Sequence, residues 1–138
     1  MSAEKSRNEA MRWLNTADDD YETASILCTN KKFAQCCFHC QQSAEKAVKA
    51  VYYNADEDPW GHSIFKLITE ISNEAAHAHF NKLTDTAKRL DQYYIPTRYP
   101  NGLPGTIPSE TYGTQDAKDA LDAAGKIIAA AKKLIGKN

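Results

Sequence analysis

The spacing of apolar side chains is the feature that most constrains the fold of this chain. In residues 3–28, apolar positions recur every three or four residues, with acidic residues between them: Ala10, Trp13, Leu14, Ala17, Tyr21, Ala24, Leu27 and Cys28. This period predicts an amphipathic helix. Asn30 is a plausible stop, and the same spacing then continues over residues 33–53. A connection this short forces the two predicted helices to run antiparallel, as an αα-hairpin.

The same argument predicts three further helices. Ser63 can cap a short helix over residues 64–71, and a fourth helix begins near Ala75 and reaches Tyr94. Thr114 can cap the last helix, which Gly136 ends. No stretch of the sequence alternates polar and apolar residues as a strand does. The predicted fold class is therefore all-α, an up-and-down bundle of about five helices.

A long segment rich in proline and glycine separates the fourth helix from the last one. It contains Pro96, Pro100, Gly102, Pro104, Gly105, Pro108 and Gly113. This composition argues against helix or paired strand anywhere in the segment. Loops of this length inside a compact domain are uncommon, and they are usually functional or disordered. Because the stretch YYIPTRYPNG is aromatic and poor in charge, we expect a loop docked on the bundle.

Length and charge restrict the class of protein. A chain of 138 residues is the size of one domain, so we expect a single domain over residues 1–138. Seventeen Lys plus Arg balance eighteen Asp plus Glu, so nucleic acid or an anionic membrane would have to bind a local patch. The charged start MSAEKSRNEAMRW and the lack of a long apolar run predict a cytoplasmic protein without a membrane segment.

All four cysteines lie between Cys28 and Cys40, which does not suit a disulfide framework, so free thiols are expected. Cys36, Cys37, His39 and Cys40 are all of the types that bind zinc. Structural zinc sites, however, usually draw ligands from two elements, whereas these residues share one predicted helix. Small buried hydrophobic residues are the simpler interpretation, and we predict no metal and no cofactor.

A polar band follows the second predicted helix, between its core positions, and consists of Gln41, Gln42, Glu45, Lys46 and Lys49. Glu45 and Lys49 are four residues apart and can pair across one turn. One interpretation is a solvated helix face. The other is a positive site for phosphate, formed by Lys46 and Lys49 if the next helix folds back to bring His62 near them.

His62 precedes a predicted helix N-terminus, where backbone N–H groups and the helix dipole favour anions. A histidine at such a position can bind phosphate or transfer protons. The alternative is a histidine that only makes hydrogen bonds within the loop.

Arg98 is the candidate with the most distinctive surroundings. No other Arg or Lys lies between Arg89 and Lys118, and aromatic and proline residues flank it: Tyr93, Tyr94, Tyr99 and Pro100. A planar guanidinium in this setting suits bidentate phosphate binding or stacking on a base. Two structural roles remain open, namely capping the end of the fourth helix and an ion pair with Asp91.

Four segments together resemble the pattern of HEPN domains, the higher eukaryote and prokaryote nucleotide-binding family. They are WLNTADDDYETA, CFHCQQSAEKAVKAVYY, HSIFKL and LDQYYIPTRYPNG, and they occur in order over nearly the whole chain. The resemblance implies a bundle of about five helices, usually a homodimer with a groove between protomers. It also implies one of two activities: metal-independent RNA cleavage, or nucleotide binding alongside a minimal nucleotidyltransferase.

The ribonuclease members carry an Arg and a His with four to six residues between them. At those offsets Arg98 is followed by Leu103, Pro104 and Gly105, and the other arginines also meet no histidine there. The usual agent of proton transfer from the 2'-hydroxyl is therefore missing, although His62 could replace it from another helix.

We therefore expect no catalytic residues of the family's usual kind. The predicted function is binding of a nucleotide or phosphate ligand, in partnership with a nucleotidyltransferase, in a toxin–antitoxin or defence context. The predicted ligand-binding residues are Arg98, Tyr99, His62, Lys46 and Lys49. The alternatives are a metal-independent endoribonuclease that uses Arg98 and His62, and a dimeric interaction module without catalysis.

Overall fold

The computed structural model describes residues 2–136, and this part of the chain contains α-helices, 3-10 turns and loops but no strand. The α-helices are α1 Ala3–Thr29, α2 Phe33–Asn54, α3 Ile64–Glu70, α4 Glu74–Phe80, α5 Thr84–Asp91, α6 Pro108–Thr111 and α7 Thr114–Ile135. Two 3-10 turns lie at Asn81–Leu83 and Pro100–Gly102. The predicted all-α class is confirmed, although the predicted five helices become seven in these residues.

Helices α1 and α2 form the predicted antiparallel hairpin. At its open end the Trp13 ring stacks on Tyr53, with centroids 5.2 Å apart. Nearer the turn, the Ser43 hydroxyl donates to the Ala17 carbonyl at 2.7 Å. The turn itself requires a positive φ of 61° at Lys31, an uncommon conformation for a residue with a side chain.

Helix α7 packs against both α1 and α2 through a stripe of small and branched side chains. Its buried residues are Ala117, Ala120, Ala123, Ala124, Ile127, Ile128, Ala130, Ala131 and Ile135. Small side chains let the helix axes approach closely, and the Tyr21 hydroxyl crosses to donate to the Leu121 carbonyl at 3.0 Å. A Cβ at Gly125 would lie 3.4 Å from that hydroxyl oxygen, about the distance of an ordinary van der Waals contact. The α1, α2 and α7 trio forms the main core.

The predicted fourth helix is wrong as a continuous element. The structure breaks it into α4 and α5, with the 3-10 turn Asn81–Leu83 between them, and ends it at Asp91 rather than Tyr94. The core positions Phe80, Leu83, Ala87 and Leu90 keep a spacing of three or four residues through the break. A 3-10 turn and an α-helix both tolerate this spacing, so the pattern did not reveal the break.

Helix ends in this region are fixed by side-chain caps. Ser63 caps α3 as predicted, because its hydroxyl accepts a hydrogen bond from the Lys66 amide at 3.1 Å. Asn73 caps α4 in the same way, through the Ala76 amide at 3.0 Å. The predicted cap of the last helix at Thr114 is wrong: Gly113 occupies that position, and its amide donates to the Asp116 carboxylate at 2.8 Å. Gly136 ends α7 in the left-handed region, as predicted.

The sequence predicts no helix in the proline-rich segment between α5 and α7. This prediction is wrong for α6, Pro108–Thr111. Helix α6 begins at Pro108, where a missing amide hydrogen costs nothing because the first helical amides have no partner. The segment is anchored to the bundle by Thr97, which is buried and donates to the Tyr93 carbonyl. Arg98 is therefore presented next to a fixed point of the backbone.

None of the helices in residues 2–136 combines the length and the apolar composition that crossing a membrane requires.

Candidate functional site

The site centres on Arg98, whose guanidinium lies among three aromatic rings. Its central carbon is 4.4 Å from the centroid of Phe38, 4.7 Å from that of Tyr94 and 5.2 Å from that of Tyr99. The Arg98 Nε donates to the Tyr94 carbonyl at 2.8 Å. These contacts orient the plane of the guanidinium while the residue stays exposed to solvent. Arg98 is thus held in place without being buried.

The second structural role considered for Arg98, an ion pair with Asp91, is wrong. The Asp91 carboxylate instead accepts hydrogen bonds from the Ser63 hydroxyl at 2.8 Å and from the Ile64 and Phe65 amides at 2.7 and 3.1 Å. The first role is partly right, since the Nε bond goes to a carbonyl just beyond α5. Across residues 2–136, no carboxylate lies within ion-pair distance of Arg98.

The prediction that the N-terminus of α3 offers free amides to an anion is wrong, because the same hydrogen bonds occupy those amides. The first two amides of α3 donate hydrogen bonds to the Asp91 carboxylate, an anion that belongs to the chain itself. His62 precedes this terminus, as predicted, but the amides are not available to a ligand. Any phosphate bound nearby must therefore be held by side chains.

His62 is nevertheless brought to the Arg98 site. Its ring stacks on Tyr94, with centroids 4.9 Å apart and planes 20° from parallel. Tyr94 thus contacts both His62 and Arg98, two residues that are 36 positions apart in the sequence. The His62 side chain is 59% exposed, so its ring remains accessible to a ligand.

The buried Glu45 carboxylate contacts the His62 ring. The Glu45 Oε2 lies 3.3 Å from His62 Nδ1 and 3.1 Å from the Lys49 ammonium. Gln41 donates to Glu45 Oε1 at 3.2 Å and to the His62 carbonyl at 3.0 Å. The predicted pair between Glu45 and Lys49 is confirmed. The interpretation of this band as a solvated helix face is wrong for Gln41 and Glu45, which are buried.

The two lysines of the predicted phosphate site are separated by their partners. Lys49 belongs to the network of Glu45 and His62, but Lys46 forms an ion pair with Asp20 at 2.6 Å. Lys46 faces a separate pocket of about 300 Å³ beside Trp13. Each lysine is paired with a carboxylate, so the positive charge expected from them is largely neutralised.

A pocket of about 390 Å³ opens directly beside Arg98 and Thr97. Its other walls are Gln35 of α2 and the start of α6, namely Ile107, Pro108 and Ser109. Apolar and hydrogen-bonding groups therefore adjoin the guanidinium, a composition common in sites for small ligands. Ile107, one of these walls, and Tyr99, whose ring contacts Arg98, are both exposed to solvent.

The cysteine cluster lies away from solvent. Cys36, Cys37 and Cys40 are fully buried, as predicted for core residues, and the cysteines are free thiols. Burial raises the pKa of the Cys37 thiol, whereas a hydrogen bond with Cys40 lowers the pKa of Cys36. Within residues 2–136, no group of three or more His, Cys, Asp or Glu side chains is placed to hold a metal ion.

Phe38 and the tertiary role of Glu45 were not identified from the sequence, whereas Tyr94 had been named as a neighbour of Arg98. The contact of Phe38 with Arg98 depends on how the 92–99 segment crosses α2. Glu45 had been assigned only its partner on the same helix. A buried polar band on an otherwise apolar face is the signal that could have indicated a tertiary network.

Residues 2–136 form an all-helical fold with an exposed arginine held among three aromatic rings. The model of the HEPN domain matches residues 10–134, which is most of the chain. The chain therefore belongs to the HEPN family, and the resemblance noted in the sequence is confirmed.

Solved structures agree with this assignment. TT1696 from Thermus thermophilus is 34% identical, with a TM-score of 0.83 over 92% of this chain and 98% of its own. ST0689, described as an archaeal HEPN homologue, is 30% identical, with a TM-score of 0.75 over 91% of this chain and 97% of its own. A relative from Methanocaldococcus jannaschii named "Putative toxin MJ1304" is 24% identical, covering 91% of this chain and 88% of its own length.

Proposed function

We propose that this HEPN domain binds a nucleotide or a related phosphate ligand at Arg98 and Tyr99. Arg98 carries the proposal because it is exposed, its Nε donates to the Tyr94 carbonyl, and no carboxylate in residues 2–136 forms an ion pair with it. By contrast, Arg12 and Arg89 are paired with Glu9 and Asp119. A preoriented guanidinium with two donors in one plane suits a phosphate group.

The other predicted residues play supporting parts in this proposal. His62, on the same Tyr94 ring, adds a second donor when protonated. Lys49 forms an ion pair with Glu45, the residue that positions His62. Lys46 contributes only to the electrostatic potential around the site, because its ammonium is paired with Asp20. The pocket beside Arg98 supplies space for the rest of the ligand.

The biological setting that we propose is a toxin–antitoxin or defence system in the cytoplasm. The named toxin among the relatives supports this setting, and the family resemblance supports a homodimer that works with a minimal nucleotidyltransferase. Copurification of the chain with the product of an adjacent nucleotidyltransferase gene, where one exists, tests the partner directly.

The experiment that tests ligand binding is a thermal shift titration with nucleoside triphosphates. We expect nucleotide to raise the melting temperature of the wild type and Arg98→Ala to abolish this shift. Arg98→Lys should rescue little, because a point charge does not reproduce the planar fork. A charge-assisted contact of about 1.5 to 3 kcal/mol corresponds to roughly a tenfold to a hundredfold loss of affinity.

The matched control is Arg12→Ala, which removes another exposed arginine, paired with Glu9 on its own helix. It should leave both folding and the nucleotide shift unchanged. If Arg98→Ala unfolds the chain and nucleotides never stabilise the wild type, Arg98 is structural and the interaction module is the better description.

A second candidate function is metal-independent RNA cleavage, and the contact between His62 and Glu45 favours it. A carboxylate beside Nδ1 orients the imidazole and leaves Nε2 to accept a proton, as in other carboxylate–histidine pairs. His62 Nε2 would take the proton of a 2'-hydroxyl as its oxygen attacks the phosphorus, and Arg98 would stabilise the phosphate. A 2',3'-cyclic phosphate would form, and the 5'-oxygen would leave with a proton from water. Cleavage of RNA in excess EDTA, lost in His62→Ala and in Arg98→Ala but retained in Arg12→Ala, is the result that this candidate requires.

A further inference from the structure

Trp60 is the most exposed of the large hydrophobic side chains in residues 2–136. It is 84% exposed, whereas Ile26, Ile107, Tyr99 and Ile95 are exposed by 55%, 50%, 49% and 48%. Tryptophan is on average among the well-buried residues, so an indole left this open is unusual. Its ring makes no stacking contact with another ring of the described chain.

The backbone on both sides of Trp60 is anchored. Before it, the Glu57 amide donates to the Tyr52 carbonyl at 3.0 Å, and the Glu57 carboxylate accepts from the Ser72 amide at 3.4 Å. After it, the His62 carbonyl accepts from buried Gln41 at 3.0 Å. The exposure of the indole is therefore a property of a fixed loop.

Trp60 is close in the chain to a residue of the site already described. It lies two residues before His62, whose ring stacks on Tyr94 of the Arg98 cluster. Gly61 separates the two at a φ of 86°, a conformation that residues with a side chain rarely adopt. The left-handed turn at Gly61 is thus part of what sets the position of the indole relative to His62.

We propose that Trp60 stacks on the base of the nucleotide whose phosphate Arg98 binds. This inference rests on the proposed function and deepens it, because it assigns the recognition of the base to a residue outside the Arg98 cluster. A nucleotide carries an aromatic base within one sugar of its phosphate, and an open indole face is a platform that accepts any base. Inorganic phosphate would make no use of that face.

Binding of matched ligands with and without a base tests the inference. The probes are ATP, GTP, CTP and UTP, compared with inorganic tripolyphosphate, and the measurement is calorimetric titration of the full chain. We expect Trp60→Ala to weaken binding of the nucleoside triphosphates by about tenfold to a hundredfold. Its affinity for tripolyphosphate should stay within about twofold of the wild type, because Arg98 is intact.

Two further variants make the test specific. Trp60→Phe keeps an aromatic face and should retain most of the nucleotide affinity. Ile26→Ala removes another exposed hydrophobic side chain, on α1, and should change neither ligand. Because Trp60 packs on so little of the chain, its variants should fold as the wild type does, which circular dichroism checks.

Each contrary result has a separate meaning. If Trp60→Ala binds nucleotides as the wild type does while Arg98→Ala does not, the stacking role is overturned and the proposed function stands. The stacking role is also overturned if the wild type binds tripolyphosphate as tightly as nucleotides. It is overturned too if Trp60→Ala changes the oligomeric mass but not nucleotide binding. If wild type binds no probe at all, both proposals fail.

Discussion

Asp91, the last residue of α5, accepts a hydrogen bond of 2.8 Å from the hydroxyl of Ser63, the N-cap of α3. The same carboxylate accepts hydrogen bonds from the amides of Ile64 and Phe65. Ser63 in turn accepts from the Lys66 amide, so two side chains satisfy the first turn of α3 between them. A helix of seven residues is thereby tied to its neighbour at the end that faces the Arg98 site.

Asp91→Ala should therefore destabilise the protein by about 1 to 3 kcal/mol, since it leaves three donors without their acceptor. Asp91→Asn should cost less, because the amide oxygen still accepts a hydrogen bond. Urea unfolding measures both values. Asp19→Ala, at an exposed position of α1, is the control and should stay within about 0.5 kcal/mol of wild type. An equally small effect of Asp91→Ala would show that water replaces the carboxylate.

The buried pair of Glu45 and Lys49 has a natural control in the exposed pair of Asp122 and Lys126. Both pairs span one helical turn at 3.1 Å, but the first is 6% and 12% exposed and the second 69% and 58%. Double-mutant cycles should give about 1 to 3 kcal/mol of coupling for the first and below about 0.5 kcal/mol for the second. Equal coupling energies would mean that burial does not strengthen the pair.

A homodimer should give a mass of about twice 15.4 kDa in light scattering at micromolar concentration. Ile95 and Ile107 lie within the long loop and are exposed, and exposed apolar side chains are common at interfaces. Ile95→Asp combined with Ile107→Asp should produce a monomer, whereas Ile26→Asp on α1 should not. A wild type that stays monomeric over this range would remove the groove between protomers.

Zinc analysis should find no stoichiometric metal in the purified protein, and EDTA should not change its melting temperature. Thiol titration of the native chain should modify Cys28, which is partly exposed, well before the three buried cysteines. Unfolding in urea, in which every thiol becomes accessible, is the reference state. One zinc per chain would reverse the assignment of these residues to the core.

Alkaline pH should reduce stability because two tyrosines are buried in their neutral form. Burial raises the pKa of Tyr52 and Tyr93 to about 12, from the ordinary value near 10. Between these values the unfolded chain binds fewer protons than the folded one, so the free energy of unfolding falls as pH rises. Tyr93→Phe should reduce this slope when urea unfolding at pH 9 and 11 is compared; an unchanged slope would contradict the burial effect.

Apolar spacing was sufficient to predict α1, α2 and α7, because each is long and buries one continuous stripe. It was insufficient for residues 75–94. Phe80 precedes the 3-10 turn and Leu83 ends it, and their spacing of three residues fits a continuous helix as well as the turn. The cap at Gly113 was missed because glycine has no side chain that could act as a cap. The hydrogen bond there runs from the Gly113 amide to the Asp116 side chain.

The site could be predicted only through the chemistry of single residues. Arg98 and His62 were distinctive because of their neighbours in the sequence, and the structure brings them together on Tyr94. The occupation of the α3 terminus by Asp91 and the attachment of Lys46 to Asp20 depend on contacts between helices. No local pattern encodes such contacts, because each partner alone resembles an ordinary surface residue.

The residues around Arg98 come from α2, from the loop before α3 and from the segment after α5, and α7 packs against α2 behind them. Translation produces these parts in order, and α7 follows them. A ribosome-bound chain that has exposed Arg98 but not yet α7 lacks the helix that packs against α2. We therefore expect the proposed ligand to bind only once α7 has also left the ribosome and packed.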